Sequence, residues 1–349
     1  MVGPACRCIE TAGTYTERQC SGRWLPLLLG CDFDPAILSE DATLIRRLLL
    51  TLVALALLPT AAVAGDVNFS RQEDVIYGRK FGLALTFDVL RPEQPNGAAV
   101  VWVISGGWFS AKEAIQPLFV TELLNRGYTV FAVVHGSQPR FTIPECIEDL
   151  NRAVRFIRLH AEEYGVDPQR FGITGASAGG HLSLMQGTAG DEGNASANDS
   201  LARTPSRVQA VACFFPPTDF LNYGKEGEVA LGRGVLKDFA APFDFQRYDQ
   251  QKRAFVRITD EEEILKIGRQ ISPVNHVSAD DPPTLIIHGD ADVLVPIQQA
   301  QIMVEKLHRA GVTAELVVKK GAGHGWPDLL ADMALIADWF DKHLAKKEN

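Results

Sequence analysis

Two stretches of this chain, AAVVWVI at Ala98–Ile104 and YTVFAVV at Tyr128–Val134, carry almost no polar side chain. A strand with one wet face alternates polar and apolar residues, so an unbroken apolar run of strand length belongs to a strand covered on both faces. Such strands need helices on each side of their sheet, and the intervening sequence offers them. Helices are expected over Glu113–Arg126, closed by Gly127, and over Pro144–Tyr164. In the second, Ile147, Leu150, Val154, Ile157 and Ala161 recur at steps of three and four, with proline in the first turn and Gly165 at the end. Others are expected from about Ala178, over Gln298–Ala310 and over Leu329–Leu344. Shorter strands are expected at Phe171–Thr174, Val208–Phe215, Thr284–His288 and Glu315–Val318, and residues 73–90 read as two extended segments about a turn near Gly82. Strand and helix alternate without a fixed-period repeat. The expectation is α/β: a doubly wound, mostly parallel sheet with helices on both faces.

Residues 220–272 interrupt that rhythm with Phe239, Phe243, Phe245, Tyr248 and Phe255 and the acidic run Asp260–Glu263. This segment reads as an insertion over one end of the sheet. It is either a small lid or a long connection that touches no substrate. Residues 190–207 are polar and read as a surface loop.

The amino-terminal stretch is set apart. Arg46-Arg47, an apolar run to Leu58, Pro59 and Ala62-Val63-Ala64 have the three-part layout of a secretory signal with cleavage after Ala64. The rival is a membrane anchor, but the run falls short of the roughly 20 apolar residues a spanning helix needs. Residues 1–64 are thus taken as leader and signal and 65–349 as the catalytic domain with insertion 220–272, exported to the periplasm or beyond, with no stable membrane insertion after cleavage. Residues 1–43 hold Cys6, Cys8, Cys20 and Cys31. They are either a mis-assigned start or a Cys-rich leader whose irregular spacing is a weak zinc pattern. Beyond residue 64 remain Cys146 and Cys213, enough for one bridge, although Cys213 in its apolar run reads as a buried free thiol. Asn68, Asn194 and Asn198 begin glycosylation sequons that matter only on a eukaryotic secretory route. The formal net charge of −9 makes nucleic acid a poor partner.

The chemistry gathers in four short motifs. Gly175-Ala-Ser-Ala-Gly179 lies between an expected strand and an expected helix, where a tight turn lifts the Ser177 hydroxyl above the sheet edge. The helix N-terminus there supplies a free N–H, from Ala178, for an oxyanion. A serine needs a base and an orienting carboxylate. His324, in Gly321-Ala-Gly-His-Gly325, has no helical stripe to fill, and Asp292, in His288-Gly-Asp-Ala-Asp292, stands on a loop at the carboxyl edge of the sheet. Asp290 is the rival to Asp292. Ser105-Gly-Gly-Trp108 follows the strand that precedes the second oxyanion donor in this arrangement, and the N–H of Gly107 or Trp108 is the candidate. Trp108 and Phe109 either line a pocket or pack their loop. Among the other histidines, His181 reads as packing within its helix, and His160, His308 and His343 as solvated. His288 reads as support for the acid loop, and His135 and His276 as loop residues able to touch substrate.

With these motifs in the order Ser177, Asp292, His324, and with the run Tyr164–Leu182 around the serine, the chain resembles α/β-hydrolase esterases across about residues 75–345. The hormone-sensitive-lipase-like and feruloyl-esterase-like groups are the nearest. The resemblance implies an α/β-hydrolase fold and cofactor-free, metal-free hydrolysis of carboxylic esters, with short-chain or aromatic acyl groups, some of them on carbohydrate. Amide hydrolysis, by a formamidase or a prolyl-oligopeptidase-like peptidase, and a catalytically inactive binding protein are the alternatives. In that family the oxyanion motif usually reads His-Gly-Gly. Here Ser105 stands in the histidine's place, which leaves open what holds the loop.

Overall fold

The computed structural model describes residues 68–346. The leader, the signal segment and the four cysteines ahead of Ala64 lie outside the described residues.

Eight strands form one sheet: β1 (Phe69–Lys80), β2 (Leu83–Pro92), β3 (Ala99–Ile104), β4 (Thr129–Val134), β5 (Phe171–Ala176), β6 (Ala210–Phe214), β9 (Thr284–Gly289) and β10 (Ala314–Lys319). Their spatial order is β1-β2-β4-β3-β5-β6-β9-β10. The pairs β1–β2 and β2–β4 are antiparallel, and every later pair is parallel. The sheet is that of an α/β-hydrolase. Two further strands, β7 (Gln246–Asp249) and β8 (Ala254–Arg257), make a separate antiparallel hairpin inside the insertion.

Why the central strands lack polar positions is plain from what covers them. Successive side chains point to opposite faces, so Val101 and Val103 of β3 join one core and Val100 the other. The first core is closed by α2 (Ile143–Leu159), α3 (Ala178–Ala189) and α5 (Gln298–Arg309), through residues such as Leu150, Leu182 and Met303. The second is closed by α1 (Thr121–Asn125) and α6 (Met333–His343), through Leu123, Ile336 and Phe340. Among the described residues, no helix is long and apolar enough to cross a membrane.

Three expected helices differ in extent. Over Glu113–Arg126, Pro117 holds Gln116 extended (φ −113°, ψ 100°), leaving two 3₁₀ turns and the short α1. Thr142 and Glu145 close a reciprocal capping box at the start of α2, but the helix breaks at His160 before a single further turn, Ala161–Tyr164, ends on left-handed Gly165. At the break the His160 ring donates back to the Phe156 carbonyl (2.8 Å). The last helix begins at Met333, four residues after its expected start. The insertion holds α4 (Glu261–Gln270), the β7–β8 hairpin and two 3₁₀ segments. Cys146 and Cys213 are both buried free thiols, not a bridge.

Candidate active site

The parallel strands β3, β5, β9 and β10 bring four loops to one edge of the sheet. β5 ends at Ala176 and α3 starts at Ala178, so the chain reverses within one residue. Ser177 takes φ 54° and ψ −118°, a region costly for any residue with a side chain. Its N–H donates to Phe214 O on β6 (3.0 Å), and the His181 N–H closes the first helical turn on Ser177 O (2.9 Å). Small neighbours make the turn possible. A Cβ at Gly175 would lie 2.6 Å from the Gly179 carbonyl, and one at Gly179 would lie 2.8 Å from Val103 O. Ser177 therefore stands half-buried at the N-terminus of α3, beside helix N–H groups that have no intrahelical partner.

The loops after β9 and β10 carry the second half. His324 Nδ1–H donates to Asp292 Oδ2 (2.7 Å), which leaves Nε2 to accept from the Ser177 hydroxyl (2.9 Å). The other oxygen of Asp292 accepts the N–H groups of Leu294 and Val295, each at 2.9 Å. Burial alone would raise this carboxyl's pKa. The neighbouring His288 ring, the His324 N–H and the Val295 amide outweigh it and hold the group well below the usual carboxylate range. His288 Nε2 donates to Val295 O (2.8 Å) and stands 3.4 Å from Asp292 Oδ2, so it props the acid loop. Asp290 is exposed and accepts the Gly321 N–H (2.5 Å); it is Asp292 that the fold brings to His324.

The third part is the turn after β3. Gly106 and Phe109 exchange both backbone hydrogen bonds at 2.9 Å, and the two residues between them have positive φ, 54° at Gly107 and 57° at Trp108. That is the pattern of a type I′ turn, in which the central N–H groups stay free. Among the described residues neither the Gly107 nor the Trp108 N–H has a backbone acceptor. Gly179 packs its bare Cα against Val103 O and Ser105 O, so this turn and the start of α3, with its Ala178 N–H, are neighbours. The arrangement offers a hydroxyl, a base oriented by a carboxylate, and unpaired amide hydrogens side by side.

The BD-FAE family profile matches residues 87–307, which span β2 through α5. The chain belongs to the BD-FAE family. It is 31% identical over 248 residues to a probable carboxylic ester hydrolase, LipM, of Mycobacterium tuberculosis, covering 69% of this chain and 53% of that protein. It is 26% identical to an isoprenylcysteine alpha-carbonyl methylesterase of Arabidopsis thaliana, covering 80% of this chain and 63% of that one. This BD-FAE chain thus spans between about half and two thirds of the curated relatives it matches. Among solved structures it resembles a truncated carbohydrate esterase from gut microbiota (TM-score 0.64, 27% identity, 81% of this chain and 99% of that one). A butyrate-bound esterase from Thermogutta terrifontis is similar too (TM-score 0.59, 26% identity, 79% and 96%).

Within this BD-FAE chain several side chains stand elsewhere than their sequence suggests. Trp108 is 2% exposed and packs on Phe220 and Phe243 of the insertion, so it fills the loop's underside and does not line a pocket. Phe109 is the one of the pair left exposed. His135, a loop residue that could have touched substrate, is 2% exposed and bonded to Ser105 Oγ (2.9 Å). His276 donates to Gln270 O at the end of α4 (2.7 Å). His160 and His343 are half-buried against Phe156 and Trp339, not solvated; His308 is exposed. His181 is buried, as expected of a packed residue, but it also bonds Trp108 Nε1 (3.1 Å). The insertion touches the site through Phe239, whose ring leaves 2.8 Å for any Cβ at Gly107. Phe215, inside an apolar strand-like run, carries no sequence signal of a place at the site. Its ring lies 4.5 Å from that of His324, and it has φ 34°, which no periodicity announces.

Proposed function

We propose that this protein is a serine hydrolase that cleaves carboxylic esters through an acyl-enzyme on Ser177. The observation that carries the reading is the unbroken hydrogen-bonded line Ser177–His324–Asp292, with a free-amide turn beside the serine. His324 Nε2 takes the hydroxyl proton as Oγ attacks the ester carbonyl, and Asp292 fixes the tautomer and balances the imidazolium. The carbonyl oxygen, now an anion, is received by the N–H of Gly107 or Trp108 and that of Ala178. His324 then protonates the departing alcohol. Water repeats the sequence to release the acid.

The relatives' names support esters over amides, since an ester hydrolase, a methylesterase and a carbohydrate esterase are among them. The substrate class we propose is a short acyl ester, with the carbohydrate-linked esters favoured by the gut carbohydrate esterase. The signal-like segment ending at Ala64 supports export, to be read from the N-terminal sequence of the natural protein. The main test is labelling by a fluorophosphonate and turnover of p-nitrophenyl acetate, both lost in Ser177→Ala. An unlabelled, inactive wild type overturns the reading in favour of a binding protein. Equal rates on a phenyl ester and its matching anilide would favour the amide reading.

A further inference from the structure

The oxyanion turn is gripped from both sides by a buried histidine. On one side, the side chain of His135 follows β4. Its Nδ1 lies 2.7 Å from Gly136 O, and because a carbonyl only accepts, Nδ1 carries the proton. Nε2 is left to receive the Ser105 hydroxyl at 2.9 Å. On the other side, His181 of α3 is oppositely arranged. Its Nε2 donates to Ile271 O (2.7 Å), and its Nδ1 accepts the indole N–H of Trp108 (3.1 Å). An indole nitrogen can only donate, so this ring is neutral by geometry. Both rings are fully or almost fully buried, at 2% and 0% exposure, and burial pushes each pKa down to about 4. The backbone repeats the pattern: the His135 N–H donates to Ser110 Oγ (3.2 Å), which donates to Ile104 O (2.6 Å), and the Ser110 N–H donates to Ser137 Oγ (2.9 Å).

We propose that His135 and His181 are positioning residues, two neutral acceptors in opposite tautomers that clamp Ser105 and Trp108 and so fix where the Gly107 and Trp108 N–H groups point. The turn between them has two successive residues at positive φ, one of them a tryptophan, and a conformation of that kind persists only where its surroundings over-determine it. Ser105 has no backbone role in the turn's reciprocal bonds, and its hydroxyl is spent on His135. The clamp also joins three separate parts of the chain to the turn: the end of β4, the first turns of α3 and, through Ile271, the end of the insertion.

The inference rests on the ester-hydrolase reading for its kinetic arm and is independent of it in its spectroscopic arm. In the full protein, Ser105→Ala and Trp108→Phe each remove one clamped donor and keep the backbone. Each should lower kcat for p-nitrophenyl acetate by roughly 10- to 100-fold per labelled active site with KM nearly unchanged, the signature of a misaimed oxyanion donor. His135→Gln and His181→Asn, whose amide oxygens can stand near the lost lone pairs, should recover most of the rate, and His135→Leu and His181→Leu should not. If the leucine variants fail to fold, the two turn-side variants decide. Nitrogen-15 spectra of labelled histidines should show His135 as the Nδ1–H and His181 as the Nε2–H tautomer at neutral pH. Ser105→Ala should perturb only the first and Trp108→Phe only the second. A kcat within about twofold of wild type in both turn-side variants, or either ring in the other tautomer, overturns the clamp. A wild type that hydrolyses no ester while both tautomers stand as assigned overturns the hydrolase reading and upholds the clamp.

Discussion

Ser177 has two kinds of neighbour, built on opposite terms. On one side His324 stands on a glycine-flanked loop, its ring held by one carboxylate oxygen at 2.7 Å beside the tilted ring of Phe215. Its rim is open: Val293, next to Asp292, is 87% exposed. On the other side the oxyanion turn is woven into the core through Ser105, Trp108 and Ser110, with Phe220 and Phe243 packed against the indole. The proton-handling arm is tethered through the bonds of the His324 ring to Asp292 and Ser177, and that side chain can be cut with little harm to folding, since the backbone bonds between its loops remain. The amide-presenting arm shares its bonds with the core, so damage there costs stability as well as rate.

The largest effect should fall on the tethered arm. His324→Ala is expected to lower kcat by three or more powers of ten while the thermal midpoint moves by only a few degrees. A midpoint shift as large as that of a core deletion would break the contrast. Asp292→Asn comes next, with a loss of roughly 10³- to 10⁴-fold, because an amide at that position can present its N–H toward Nδ1 and disfavour the working tautomer. Steady-state kinetics with fluorophosphonate-titrated sites measures both.

The same division separates what the sequence makes readable from what it does not. Strands β3 and β4 announce themselves because burial on both faces leaves no polar position, and their ends fell within a residue of expectation. Ser177, Asp292 and His324 can be picked out because glycines and loop positions around a polar residue leave packing with nothing to explain. The clamp was hidden. His135 and His181 look like a loop histidine and a helix histidine, and their importance lies in contacts 30 and 73 residues away along the chain. The insertion is legible as an insertion, but its contact with the site is not. That Phe220 and Phe243 seat Trp108, which decides between a pocket wall and a packed loop in favour of packing, depends on how residues 220–272 fold back.

On the woven arm, acid should act through the clamp. The folded-state pKa values of His135 and His181, about 4, lie below the roughly 6.5 of an unfolded histidine. With a depressed folded value, the unfolded chain binds the extra proton first, so the contribution is complete above pH ~6.5 and is lost as pH falls toward 4. Each ring accounts for roughly 3 kcal/mol at the lower end of that window. Asp149, raised by burial despite its ion pair with Lys80 (2.6 Å), works weakly the other way in acid. Urea midpoints at pH 7 and pH 4.5 measure the sum, and a flat profile across that span would show that these rings are not held neutral. Phe220→Ala should cost about 3 kcal/mol by opening a cavity under the indole, with a smaller loss of rate than His324→Ala.

The smallest effect is the sharpest test of the tethered arm. Asp290 and Asp292 share one loop, both accept backbone N–H groups, and the sequence alone ranks them as rivals. Asp290 is exposed, and its one acceptor role toward Gly321 can be kept by an amide oxygen. Asp290→Asn should therefore leave kcat within about twofold and stability within about 1 kcal/mol. If charge near His324 were what mattered, removing either carboxylate would slow the proposed ester hydrolysis comparably, since the two stand on the same short loop. If the directed bond to Nδ1 matters, only Asp292 responds, and the ratio of the two variants' rates, expected near 10³ or above, separates field from geometry.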